Sequence, residues 1–200
     1  WMGLPLASLL ACFLLLAACS QRPAPTLSTA VKLGFISLVD CAPLVIAMEK
    51  GFFAKEGLTK VAIIKQASWG ATRDNLELGS EMGGIDGAHI LTPMPYALHL
   101  GLNTKDNRRI PMAILCRLNL NNQAISVANK WKGLQLGLDA TPWKASVASA
   151  KAAGAPLTVA VTFPIGTHNY WMRYWLAAAG IDPDRDVKTI VVPPPQMVAN

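Results

Sequence analysis

The chain has 200 residues, is 52% hydrophobic and 15% charged, and carries a formal net charge of +6. That composition excludes a disordered polypeptide, a collagen and a disulfide-dense miniprotein, and leaves a weakly basic globular protein. The charge is unevenly spread, since residues 1–19 contain no Asp, Glu, Lys or Arg.

Within that first segment Leu9 to Ala18 (LLACFLLLAA) is an apolar run, ended by Ser20-Gln21-Arg22-Pro23. It is shorter than the roughly 20 residues that span a bilayer. It reads as the core of a signal peptide covering residues 1–18. Its end, Leu16-Ala17-Ala18-Cys19, resembles a bacterial lipobox, whose Cys is diacylated and becomes the mature N-terminus. Two or more acyl chains suffice for stable anchoring. A core helix that happens to contain Cys is the alternative. The Pro- and Ser-containing stretch that follows favours a lipid-anchored tether over residues 19–30. No Lys or Arg precedes the apolar run and Trp1 precedes Met2, so the natural start is expected upstream.

The mature part then alternates. Val31 to Ile36 reads as a buried strand and Ala42 to Lys50 as a helix closed by Gly51. Lys60 to Lys65 is a second strand, and Thr72 to Leu78 a helix ended by Gly79. Gly84 to Ile90 predicts a short strand, Pro93 to Leu100 a helix, and Met112 to Leu118 and Ala124 to Ala128 further strands. A second series follows: strand Gln135 to Leu138, helix Lys144 to Ala153, strand Leu157 to Phe163, helix His168 to Ala179 and strand Val187 to Val192. Such alternation indicates parallel α/β units. We place a first lobe over 31–124 and a second over 125–200, with the crossover around Asn119 to Asn129 and a ligand cleft between the lobes. Pro193 to Asn200 reads as a loop entering a helix, so the natural protein is expected to continue and the second lobe to be incomplete.

Chemistry is sparse. No Gly-rich phosphate loop, GxSxG or HExxH occurs, and the three histidines (His89, His99, His168) have no recognisable nucleophile beside them. No Cys/His cluster points to a metal, and no cofactor is implied. Cys41 and Cys116 lie in apolar surroundings, which predicts two buried free thiols. Two loop-to-helix junctions carry polar donors instead. Around Ser68-Trp69-Gly70-Ala71 a strand gives way to a helix, so unpaired helical N–H groups, a permissive glycine and an indole donor come together. Phe163-Pro164-Ile165-Gly166-Thr167-His168 repeats the design, with Thr167 as N-cap and His168 in the first turn. Gln123 adds an amide, and a helix N-terminus suits an anion. Each residue also has a structural role open to it: Trp69 as a core aromatic, His168 as a cap, Gln123 at a strand edge. Arg73 and Asp74 read as a structural pair, and Trp171, Tyr174 and Trp175 as packing.

The stretches KLGFISLVDCAPLVIAMEKGFFAKEGL, KQASWGATRDNLELGS, GGIDGAHILTPMPYAL, LNLNNQAISVA and TFPIGTHNYWMRYWLAAAGIDP resemble the periplasmic nitrate/bicarbonate-binding proteins of ABC importers, from about Lys32 to Asn200. SWGATRDN and GAHILTPMPY are more similar to the nitrate-binding lipoprotein type. The resemblance implies a type-II periplasmic binding-protein fold, two α/β lobes closing on a ligand. It implies Trp69, Gly70, Gln123 and His168 as ligands of nitrate, or of a similar small oxyanion such as nitrite. A Lys that would distinguish nitrate from bicarbonate is expected beyond Asn200. It further implies permease and ATPase subunits as partners, attachment to the periplasmic side of a bacterial membrane through Cys19, and no catalysis and no nucleic acid. The competing readings are the same scaffold binding bicarbonate or a sulfonate, a synthase of the thiamine pyrimidine precursor, and a cytoplasmic nitrate sensor. On this reading Trp69→Ala or His168→Ala should weaken binding and leave the fold intact.

Overall fold

The computed structural model describes residues 30–120 and 123–199. The signal segment, Cys19 and the tether up to residue 29 lie outside the described residues.

The first sheet is parallel, in the order β2-β1-β3. Strand β1 (Ala30–Phe35) alternates Val31, Leu33 and Phe35 with Lys32 and Gly34, the period of a pleated strand. It is followed by helices α1 (Ala42–Glu49), with a proline in its first turn, and α2 (Phe52–Lys55). These supply the crossover that a parallel partner needs. Strand β2 (Lys60–Lys65) then pairs with β1 from Ala30↔Lys60 to Phe35↔Lys65. Helix α3 (Trp69–Leu78) leads to β3 (Gly87–Ala88), which pairs with β1 at Leu33 and Gly34. The predicted strand Gly84 to Ile90 shrinks to β3 because its first residues are taken by the end of α3. Gly84 N–H donates to the Gly79 carbonyl at 2.8 Å and Ile85 N–H to the Asn75 carbonyl at 3.0 Å. Helix α4 (Pro93–Leu100) has the predicted bounds.

Three predicted strands do not form. Met112 to Leu118, Ala124 to Ala128 and Gln135 to Leu138 have no regular structure apart from Gln135, which ends a 3-10 turn. β-forming side chains make a strand only where another strand lies alongside. Among the described residues none does, and Leu115 and Leu138 are fully exposed. Gln135 adopts φ 50°, in the left-handed region, which also breaks an extended run. The irregular course of 110–119 explains a second difference. Cys41 is buried as expected, but Cys116 is exposed; both are free.

Helix α5 (Lys144–Ala152) precedes β4 (Thr158–Val161), α6 (Thr167–Ala178), β5 (Lys188–Val191) and α7 (Pro194–Met197). β4 and β5 form a second parallel sheet, in register from Thr158↔Lys188 to Val161↔Val191. The close of α6 is specified by Gly180 at φ 69°, where Ile181 N–H reaches back to the Leu176 carbonyl at 3.0 Å. Arg173 then grips Asp184 through two hydrogen bonds of 2.7 and 2.5 Å.

Each sheet has its own core. Trp143, Val147, Val159, Trp175, Leu176 and Ile181 form one; Ile36, Trp69, Leu91, Met94 and Leu98 form the other. Phe163, which follows β4 in sequence, packs into the first core, that of Ile36 and Trp69, with Ile165 against it. A fully buried apolar side chain contributes about 1.5–3 kcal/mol, so this segment ties the start of α6 to the first sheet. Trp175 packs as expected, whereas Trp171 and Tyr174 are 52% and 78% exposed, because a single helix face can meet the core. Among the described residues no helix is long and apolar enough to cross a membrane.

Candidate functional site

Trp69 and Gly70 form the first turn of α3, which begins three residues before the predicted start at Thr72. The Ser68 hydroxyl accepts the Ala71 N–H at 3.0 Å and its carbonyl accepts the Thr72 N–H at 3.0 Å. The N–H groups of Trp69 and Gly70 therefore stand ahead of the helix's own ladder. A methyl group at Gly70 would meet only Ser68 Oγ, at 3.6 Å, so packing within the chain does not demand a glycine there. The Trp69 ring is fully buried in the first core, and its Nε1 has no hydrogen-bond partner. Leaving a buried donor unsatisfied costs about 1–3 kcal/mol.

His89 lies against that ring, with centroids 5.5 Å apart. It is held there because its N–H donates to the Gly34 carbonyl at the end of β1. Its Nε2 contacts Asp40 Oδ2 at 3.1 Å, while its Nδ1 is buried without a partner, as is Asp40 Oδ1. Burial opposes ionisation of Asp40, but the hydrogen bond and charge of His89, the backbone and the charge of His168 hold its carboxyl below the usual carboxylate range. Asn119 donates to the Asp40 carbonyl at 2.8 Å, fastening the irregular segment over the same turn.

The second junction is built on Gly166, which caps α6 with φ −111° and ψ 151°. A Cβ there would lie 2.9 Å from Leu91 Cδ1 and 3.2 Å from the Phe163 carbonyl, so a larger residue would have to displace Leu91 and shift the Phe163 carbonyl by a few tenths of an ångström, and glycine makes this close approach to the core of the first sheet easy. Thr167 is not the cap expected of it. It occupies the first helical position, and its hydroxyl pairs with the Gln123 amide in a short hydrogen bond. Gln123 Oε1 is buried and unpartnered. Turning the amide over would let the Thr167 hydroxyl donate to Oε1 and free both Nε2 hydrogens. His168 Nδ1 lies 3.2 Å from the Thr162 hydroxyl. When that hydroxyl donates, the neutral ring carries its proton on Nε2, leaving a further donor. Burial pushes the His168 pKa down, against the raising effect of Asp40.

That shift has a testable sign. A histidine whose pKa is lowered on folding binds more protons in the unfolded chain, so its contribution is full above about pH 6.5 and is lost as pH falls through the folded value. The urea midpoint of the full chain should therefore drop on acidification from pH 8 to 5, and less steeply in His168→Gln. A variant with an undiminished acid loss would contradict this assignment.

Gln123 and His168 line an open groove of about 850 Å³, whose long wall is the His168, Trp171, Met172 and Trp175 stripe of α6. Trp69 and Gly70 do not line it. Leu38 joins the two regions, since it borders the groove and packs against the core that contains Trp69. Asp40 completes the connection, because it contacts His89 on one side and acts electrostatically on His168 on the other. The structure thus gathers the two junctions around Asp40 and His89, with Trp69 sealed in the core and Gln123 and His168 on the groove. Neither Asp40 nor His89 was singled out as a site residue in the sequence, where nothing signals that they meet. Arg73 pairs with Asp74 at 2.8 Å, as expected. No cluster of metal-ligating side chains occurs among the described residues.

Comparison with known proteins gives a consistent assignment. A profile described as the NMT1-like family matches residues 24–200. The nitrate/nitrite binding protein NrtA of Synechocystis sp. is 58% identical over 177 residues, covering 88% of this chain and 38% of the relative. The bicarbonate-binding protein CmpA of Synechococcus elongatus is 42% identical over 171 residues, covering 85% and 38%. The crystal structure of the periplasmic nitrate-binding protein NrtA from Synechocystis PCC 6803 superimposes with a TM-score of 0.79 at 57% identity, over 86% of this chain and 43% of that one. The chain therefore spans about 38% of the length of the curated relatives it matches.

Proposed function

The chain belongs to the NMT1-like family, and from that premise we propose that it is part of a binding protein that captures nitrate, or nitrite, and passes it to a membrane importer. The observation that supports the proposal is Asp40, which contacts His89 beside Trp69 on the side of α3 and acts electrostatically on His168 on the side of α6, so that two helix N-termini with their own donors flank it. Trp69 Nε1–H and the Gly70 N–H come from α3, and the Gln123 amide and His168 Nε2–H from the side of α6. A flat trigonal anion accepts hydrogen bonds in its plane from several directions, and no one element can supply them all. Helix N-termini add partial positive charge. In a site closed to water such donors act in a lower dielectric and grip a weakly basic ion more firmly than water does.

The groove is far larger than a four-atom ion, so the ion belongs at its polar corner near Gln123 and His168. The apolar wall of α6 does not serve it. Closure of the two halves over the ion would bring it against Trp69. No bond is made or broken, and the protein acts by capture and release. We place it on the periplasmic side of a bacterial membrane, anchored through Cys19, with permease and ATPase subunits as its partners.

The higher identity to the nitrate/nitrite-binding relative than to the bicarbonate-binding one, 58% against 42%, supports nitrate over bicarbonate. Calorimetric titration of the full chain with nitrate, nitrite and bicarbonate tests the choice. Saturable binding of nitrate is expected. Binding of bicarbonate alone would reject the assignment.

A further inference from the structure

We propose that Thr162 and Thr167 are positioning residues that make the polar corner of the groove donor-only, so that it selects an anion that can only accept hydrogen bonds. The inference rests on the functional assignment above and names the chemical class that the same site admits.

The two side chains at that corner are ambivalent by nature. A neutral imidazole carries one donor and one acceptor, and an amide carries both. Each is held by a threonine hydroxyl. His168 Nδ1 lies 3.2 Å from Thr162 Oγ1, and the Gln123 amide pairs with Thr167 Oγ1 in a short hydrogen bond. Among the described residues neither hydroxyl has another hydrogen-bond partner. Both threonines are half-buried and set by regular structure, Thr162 directly after β4 and Thr167 as the first residue of α6. Gln123, Thr162 and His168 line the same groove.

A hydroxyl has a single hydrogen, so the direction in which it is given decides the polarity of its partner. If Thr162 accepted from Nδ1–H, His168 Nε2 would be a bare lone pair. If Thr167 accepted from the amide, Gln123 Oε1 would stay in its buried place without a partner. Either arrangement sets an acceptor against an anion, which is repulsive in a poorly screened site. With both hydroxyls donating, His168 Nε2 carries the hydrogen and the Gln123 NH2 group takes the buried position that lacks a partner. Control by Thr162 matters because burial lowers the His168 pKa and keeps the ring neutral, so its one hydrogen must be on the right nitrogen.

Nitrate and nitrite carry no hydrogen near neutrality, and a ring of donors suits them. Bicarbonate has one O–H to donate. The carboxylate nearest in the chain's own design, Asp40, contacts His89 and does not line the groove. A bicarbonate O–H enclosed among donors is left unpaired, which disfavours it by about tenfold or more.

The full chain, labelled with nitrogen-15 histidine, is studied with nitrate at about pH 8, where the ring is neutral. Nitrate-bound His168 should be protonated on Nε2, with Nδ1 unprotonated and hydrogen-bonded. Thr162→Val should move the Nδ1 signal, lower the nitrate affinity measured by calorimetry by about tenfold and narrow its margin over bicarbonate. Thr162→Ser, which keeps the hydroxyl, should restore all three. Thr167→Val should weaken nitrate by a similar factor without changing the His168 tautomer. Protonation of Nδ1 in the nitrate-bound parent would overturn the inference and leave the functional assignment standing, and this measurement holds even if a valine variant fails to fold. Unchanged nitrate affinity in both valine variants, or a parent that holds bicarbonate as tightly as nitrate, would overturn it too. Failure of the parent to bind nitrate would sink the functional assignment and the inference together.

Discussion

Trp69→Ala lowers the stability of the full chain by about 3–5 kcal/mol, the usual cost of deleting a large buried aromatic, besides removing a donor that we propose for the ligand. The expectation that this substitution would spare the fold treated Trp69 as a side chain standing in a cleft. In the structure it is fully buried among Leu91, Met94 and Phe163, and Phe163 comes from the segment that follows β4. Losing the indole opens a cavity at the place where the segment before α6 meets the first sheet. Urea denaturation of the purified variant measures the loss, and an unchanged midpoint would show that Trp69 is not in the core. The binding role is approached by Trp69→Phe, which keeps much of the apolar contact, at a smaller cost in stability, and deletes the Nε1–H. Nitrate affinity should then fall by roughly 10–150-fold, in line with about 1.5–3 kcal/mol for a hydrogen bond to a charged group. Undiminished affinity would remove Trp69 from the donor ring.

His168→Ala has the opposite profile, with a large effect on binding and a small one on stability. The ring is partly exposed on the groove and belongs to neither apolar core. Among the described residues it meets the Thr162 hydroxyl at 3.2 Å, a group that can turn to water once the ring is gone. The donor lost is one that we propose for a charged ligand, and such a bond contributes about 1.5–3 kcal/mol, or roughly 10–150-fold in the dissociation constant. Calorimetry with nitrate measures that change, and circular dichroism through a thermal melt measures the fold. Equal affinity in the variant and the parent would exclude His168 from the site. A collapse of the melt with no separate loss of affinity would make it a packing residue.

What was legible in the sequence was local. Helix α4 and strand β2 have the bounds that periodicity assigns them, because alternation, a leading proline and a closing glycine act within a few residues. The two junctions were visible for the same reason, since a strand ending in polar residues and glycine before an amphipathic run announces a helix N-terminus. The strands expected at Met112 to Leu118, Ala124 to Ala128 and Gln135 to Leu138 failed because a strand's hydrogen bonds are completed by a neighbour that the segment itself does not encode. The same limit applied to Cys116, whose apolar neighbours do not bury it.

By itself, then, the sequence determined the parallel α/β units, the family they belong to and the donors at two helix starts, all of which follow from the order and spacing of neighbouring residues. The tertiary structure alone decided that Trp69 is sealed in a core, that Phe163 crosses into it, and that Asp40 and His89 meet between the junctions. Burial and ion pairing join residues distant along the chain, and only the packing of the sheets and helices brings those residues together.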